Sequence, residues 1–203
     1  MTGYFRRRRM LRFAREFALT AETRVLDVGG TPDCWRLLPV LPRLIFLNTP
    51  RAREEVGAST LWVAGDGRLL PFADRAFDIV FSNSVIEHVG GLESQRRFAG
   101  EVMRVGRAYW VQTPNRWFPI EQHLLTPLIH WLPKRWQKAV VPRFTVWSVF
   151  VKTTPDRRQF YLDHYLTEVK LLNARELKQL FPRARFIRER FCGWTKSLVA
   201  FER

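Results

Sequence analysis

Three short clusters carry the groups that could do chemistry. Asp27-Val28-Gly29-Gly30 ends an apolar run with a carboxylate and two glycines. Glycines there let the backbone come close to a ligand, and a following helix offers its first amides. Any tight strand-to-helix turn also favours glycine. Gly65-Asp66-Gly67 sets a second carboxylate between two glycines. Such a carboxylate can accept from an exocyclic amine while the next amide donates to a ring nitrogen; a plain Asp turn is the other reading. Ser82-Asn83-Ser84-Val85-Ile86-Glu87-His88 is a polar cluster that follows the fourth apolar run.

His88 is the residue best suited to removing a proton near neutrality, since an ordinary imidazole titrates at about 6.5. Glu87 stands beside it. Glu121 and His123 form a reserve pair in the stretch Thr113 to His123. Each of these could equally make a structural hydrogen bond. With Cys34 and Cys192 the only cysteines, there is no thiolate zinc set and no disulfide framework. No metal is expected.

The elements that must position these clusters alternate. Residues 24–30, 43–48, 60–64, 77–83 and 107–113 read as short apolar strands, and residues 93–105 as a helix with Phe98, Val102 and Met103 inward. Residues 5–18 read as an amphipathic helix with Met10, Leu11, Phe13, Ala14, Phe17 and Ala18 on one face. Thr31 and Pro32 read as a helix start, as do Asn173 and Glu176, a capping-box pair. Residues 184–188 and 197–201 close the pattern as strands. Strands alternating with helices predict an α/β fold with a parallel sheet. In such sheets ligands sit at the carboxyl ends of the strands, where all three clusters fall.

In this order and spacing the clusters resemble the class I S-adenosylmethionine-dependent methyltransferases, in particular the type 11 methyltransferase domain. The resemblance is carried by Asp27 and Gly29, by Asp66 with Leu70-Pro71-Phe72 and Phe77-Asp78, and by Glu87-His88. It covers residues 24–113 well and the C-terminus weakly. It implies a Rossmann-like sheet of seven strands, mostly parallel, with helices on both faces and a closing antiparallel strand. It implies S-adenosyl-L-methionine as cofactor: Asp27, Gly29 and Gly30 under the methionine moiety, Asn48 at the ribose, Asp66 and Gly67 at the adenine, and Ser82 and Asn83 near the sulfonium. Two departures stand out. The usual Gly-x-Gly becomes Gly29-Gly30-Thr31, and the usual acidic ribose ligand becomes Asn48, which offers a neutral bond where a charged one is normal.

Residues 114–171 break the pattern with dense prolines and aromatics, and the expectation is a helical insertion or lid on a single domain spanning 1–203. Leu124, Leu125, Leu128, Ile129, Trp131, Leu132 and Trp136 make an apolar stripe beside Lys134, Arg135 and Lys138. It reads either as a cap packed on the core, as a lid over an apolar acceptor, or as a helix at a membrane interface.

The charge fits several partners. The 203 residues carry 34 Lys and Arg against 19 Asp and Glu, a net +15. Only six of the 34 are Lys, a bias that genome composition alone can produce. The Arg6–Arg9 run in the basic helix of residues 1–20 sits on a first helical turn, where the dipole disfavours cations, and reads either as facing an anionic partner or as fraying into water. No run reaches the ~20 apolar residues of a membrane span. The N-terminus lacks a secretory h-region, so a cytoplasmic protein is expected, or one peripheral to the inner face of a membrane. A nicotinamide dehydrogenase would want a G-x-G-x-x-G that is missing. The function expected is transfer of a methyl group to a small-molecule or lipid-like acceptor, at oxygen. The alternatives are a non-catalytic S-adenosylmethionine-binding relative and a nucleic-acid methyltransferase using the basic surface; Thr113-Pro114-Asn115-Arg116 is not the motif of base-amine methylation.

Overall fold

A computed structural model describes residues 2–50, 61–141, 165–167 and 169–203. Nine strands are present among them: β1 (Arg24–Val28), β2 (Arg43–Asn48), β3 (Trp62–Ala64), β4 (Phe77–Asn83), β5 (Gly106–Pro114), β6 (Ile120–Glu121), β7 (Thr126–Pro127), β8 (Arg185–Phe191) and β9 (Trp194–Glu202). The α-helices are α1 (Thr2–Glu16), α2 (Leu92–Val105), α3 (Lys134–Val140) and α4 (Ala174–Leu180). Seven strands make one sheet in the order β3-β2-β1-β4-β5-β9-β8. β1 to β5 are mutually parallel, and β9 runs antiparallel to both its neighbours. This is a Rossmann-like sheet, seven-stranded and mostly parallel as expected.

Alternation along the strands builds two cores, one per face. Val25, Ile79, Phe81, Ala108 and Trp110 point to one side, where Met10 and Phe13 of α1 and Trp35 cover them. Leu26, Val80, Tyr109 and Val111 point to the other, where α2 supplies Phe98, Ala99, Val102 and Val105 and α4 supplies Leu177 and Leu180. α4 begins with the expected capping box: Asn173 accepts from the Arg175 and Glu176 amides, and the Glu176 carboxylate accepts from the Asn173 amide.

The Leu70–Asp78 motif is held from the far side of the sheet. Arg104 donates to the carbonyls of Leu70 and Phe72 and to the Asp74 and Glu101 carboxylates. Asp78 accepts from the Arg24 amide and guanidinium, which ties the start of β4 to the start of β1. These residues fix the frame and lie away from the carboxyl ends of the strands.

Several local expectations change. The first helix spans Thr2–Glu16, and Leu11 and Ala18 are exposed, the latter in a left-handed turn that ends it. Thr31 precedes a short 3-10 helix (Pro32–Leu37), but its side chain caps nothing. The insertion is not purely helical: β6 and β7 pair in a small hairpin ahead of a 3-10 turn (Ile129–Trp131) and α3. Pro142, Phe144, Trp147 and Phe150 of that stretch lie outside the described residues.

The apolar stripe splits in two. Leu124 and Ile129 are buried with Val141, Tyr165 and Val169, whereas Leu125, Leu128, Trp131, Leu132 and Trp136 are exposed. The Arg6–Arg9 run splits as well. Arg6, Arg7 and Arg8 face solvent or its margin, but Arg9 is buried and bonded within the protein. No helix among the described residues is long and apolar enough to cross a membrane.

Candidate active site

A cleft of about 860 Å³ opens at the carboxyl ends of β1, β2, β3 and β4. Gly29, Asn48, Asp66, Gly67, Ser84 and His88 are among its lining residues. The volume falls in the range of small-molecule sites. Gly29 takes φ +79°, and its amide donates to the Leu47 carbonyl at 2.7 Å, so the turn curls over the end of β2. A Cβ at Gly29 would lie 2.5 Å from a Val85 methyl, and one at Gly67 would lie 2.9 Å from the Phe98 ring.

The other expected cofactor residues stand behind this wall. Asp27 is fully buried and accepts from the Trp35 indole at 2.7 Å. Burial raises its carboxyl to about 7, against which the Trp35 bond works. A Cβ at Gly30 would fall 2.0 Å from that carboxylate, so Gly30 is there to clear Asp27. Ser82 is buried and donates to the Val28 carbonyl at 3.1 Å, tying β4 to β1. Asn83 accepts from Arg9. Arg9 also reaches Gln112 at 3.0 Å and forks onto Glu189 at 2.9 and 2.5 Å. Nothing in the charge run singled out Arg9; its partners come from β4, β5 and β8 and are remote in sequence.

Within the cleft, Asn48 Oδ1 accepts from the Thr49 amide, and its amide group reaches the Gly30 carbonyl at 3.4 Å. Asp66 is held by Arg68 at 2.6 Å, and both are substantially exposed. That pair keeps the Asp66 carboxyl below its usual range, the Arg68 bond being the main cause. An exposed pair of this kind is worth little, so the carboxylate is available to an incoming donor.

His88 and the Glu121–His123 pair, 35 residues apart between the two histidines, converge. His88 sits on a 3-10 turn (Ile86–His88) that buried Ile86 pins to the core. His123 lies in the loop of the β6–β7 hairpin. Its Nε2 is 3.1 Å from His88 Nε2, and its Nδ1 is 2.6 Å from Glu121 Oε1. Glu121 is fully buried, and its other oxygen accepts from the Leu124 amide at 2.6 Å, which shapes the hairpin loop. Burial works against a charged His123, but the bond to Glu121 and the charges of Glu121 and Glu87 prevail, and its pKa is raised.

Glu87, also fully buried, accepts from the Thr113 hydroxyl at 3.0 Å. Burial is the chief reason its carboxyl rises to about 7. Thr113 and Trp35 are partners that sequence reasoning missed; neither carries a motif.

Comparison with known proteins agrees with this architecture. A family model described as a methyltransferase domain matches residues 46–108, from β2 through α2 to the start of β5. No curated protein sequence matches. Among solved structures, an S-adenosylmethionine-dependent methyltransferase from Aquifex aeolicus is 11% identical, with a TM-score of 0.51 over 95% of this chain and 87% of that one. A phosphoethanolamine N-methyltransferase from Haemonchus contortus is 11% identical, with a TM-score of 0.52 over 89% of this chain but only 38% of that one. A Rhodobacter sphaeroides protein assigned to the zinc-dependent alcohol dehydrogenases is 11% identical, with a TM-score of 0.58 over 90% of this chain and 84% of that one. At such identities the likeness is one of fold alone, and a fold hosts many chemistries. The family match lies on β2, β3, β4 and the turns between them, so this stretch is similar to a methyltransferase domain and the whole chain shares a Rossmann-like fold with the solved structures.

Proposed function

We propose that the cleft holds S-adenosyl-L-methionine and that the methyl group passes to an acceptor oxygen beside His88. The observation that carries this reading is the convergence of His123 and Glu121 on His88, which lines a cleft together with Gly29, Asn48, Asp66 and Gly67. The residues fit the cofactor. Asp66 accepts from the adenine amine, Asn48 faces the ribose hydroxyls, and the Gly29 backbone takes the methionine end. Asp27, Gly30, Ser82 and Asn83 act from behind, by setting the backbone of that wall. The bound cofactor supplies an already activated methyl group, so the chain mainly aligns the acceptor and excludes water. His88 takes the acceptor proton, and His123 with Glu121 steadies the charge that results. Titration with S-adenosylhomocysteine and turnover with methyl-labelled S-adenosylmethionine test the two halves separately. Binding without turnover on any acceptor fraction would make the chain a non-catalytic relative.

The exposed face of Trp117, Leu128, Trp131 and Trp136 beside Lys134, Arg135 and Lys138 favours an acceptor that is amphiphilic over one that is a nucleic acid. Aromatic and basic residues side by side suit the boundary of an anionic lipid layer. Flotation with vesicles of anionic lipid is expected to carry the protein upward, and neutral vesicles much less. Absence of binding to both would return the acceptor to the small, soluble class.

A further inference from the structure

We infer that Glu87, His88 and His123 bind a divalent transition-metal cation. One ligand atom from each lies within 4.8 Å of the others. The two Nε2 atoms are 3.1 Å apart. Two ligands each ~2.1 Å from one ion stand roughly 3.0–3.4 Å apart at octahedral to tetrahedral angles, so this spacing suits a shared ion as well as a hydrogen bond. Glu87 is fully buried, and its Oε1 has no hydrogen-bond partner among the described residues, while Oε2 is bonded to Thr113. A buried carboxylate oxygen left in this state is costly unless something cationic meets it.

His123 Nδ1 is bonded to Glu121, which is the carboxylate–histidine arrangement that orients a metal-binding imidazole through its other nitrogen. Two imidazoles and one carboxylate suit Zn²⁺ or a neighbouring transition ion and not Mg²⁺ or Ca²⁺, which prefer oxygen throughout. The inference rests on the proposed function only for the meaning of the site's position. A cation beside the cleft would lower the pKa of an acceptor hydroxyl bound to it, with the proton leaving to solvent, and His88 would then serve as ligand in place of base.

The test is direct metal binding by the full chain after chelator treatment and chelator removal. Zn²⁺ is titrated by calorimetry, and Co²⁺ by its visible absorption. One ion per chain is expected, with a cobalt spectrum showing imidazole ligation. His123→Ala and Glu87→Gln should each weaken Zn²⁺ binding about 100-fold or more, and Glu121→Gln about 10–100-fold through loss of orientation. His123→Gln, at a partly exposed position, serves if Glu87→Gln does not fold. Asp66→Ala should keep the ion. No saturable Zn²⁺ binding, or binding indifferent to both His123 and Glu87, would overturn the inference. S-adenosylhomocysteine binding by the unsubstituted chain separates the two claims: its absence with Zn²⁺ bound sinks the proposed function alone, and its presence without saturable Zn²⁺ binding sinks the metal site alone.

Discussion

Arg9 and Glu189, 180 positions apart, meet in a forked ion pair of 2.9 and 2.5 Å that is almost wholly out of solvent. Burial opposes the charge on Glu189, but Arg9 and the Ser197 hydroxyl hold its carboxyl below the usual range. Because Arg9 also bonds Asn83 and Gln112, α1 is fastened to β4, β5 and β8 near their carboxyl ends.

Removing one partner of such a pair strands the other. Arg9→Ala should cost about 3–5 kcal/mol of stability, read from urea unfolding. Arg9→Lys keeps the charge but loses the fork, and should fall between. A loss below about 1 kcal/mol would mean that the Arg9 cluster contributes little and that Met10 and Phe13 hold α1 to the sheet without it.

Asp66 is the adenine contact of the proposed cofactor site. Asp66→Ala should weaken S-adenosylhomocysteine binding by about 1–3 kcal/mol in calorimetry. Unchanged affinity would move the adenine elsewhere. Arg68→Ala, which frees the carboxylate, should leave affinity equal or slightly improved.

Asp27 predicts a dependence of stability on pH. Unfolded, the carboxyl titrates at about 3.9; folded, it titrates at about 7. Below the lower value both states hold the proton and the contribution is complete. Between the two, the folded chain keeps a proton that the unfolded chain has lost, so stability falls as pH rises, by up to about 1.4 kcal/mol per unit. Asp27→Asn still accepts from Trp35 and should flatten this stretch of the pH–stability curve. An unaltered slope in thermal melts from pH 4 to 8 would refute the assignment.

Gly29→Ala would put a methyl group where φ is +79° and where Val85 stands 2.5 Å away. A loss of roughly 1–3 kcal/mol is expected, together with weaker cofactor binding. The double variant with Val85→Ala should recover stability only in part, since the backbone strain remains.

His88→Gln should lower turnover by roughly 10²-fold with little change in cofactor affinity if His88 removes the acceptor proton. Near-normal turnover would leave alignment as the whole of the chain's contribution.

The sheet was legible because its strands are apolar and end at glycine or polar turns. β4, for example, is bounded by the Asp74-Arg75 turn and by Ser84. The candidate site was legible in its residue types but not in its assembly. His88, Glu121 and His123 could each be named, yet only the β6–β7 hairpin, two residues per strand and too short for any periodic signal, brings His123 to His88. Asp27 and Ser82 sit at expected positions but are spent on Trp35 and Val28, because a side chain's direction at a strand end depends on its neighbours. Arg9 looked like one of four equivalent arginines; its burial follows from helix phase, which aims it at the sheet with Met10 and Phe13.

The placement of β9 bears on how the chain is made. It is synthesised after β5 and β8 but lies between them. Until residue 202 has left the ribosome, the nascent chain holds β5, with Tyr109, Trp110 and Val111, as an open edge. Such an edge pairs readily with strands of other chains. α1 can cover one face of β5 early, since Phe13 meets Trp110, but it cannot supply the missing backbone partners. β9 is thus the strand that fills the gap between β5 and β8, and slow synthesis of β9 would lengthen the interval in which the β5 edge stands open to other chains.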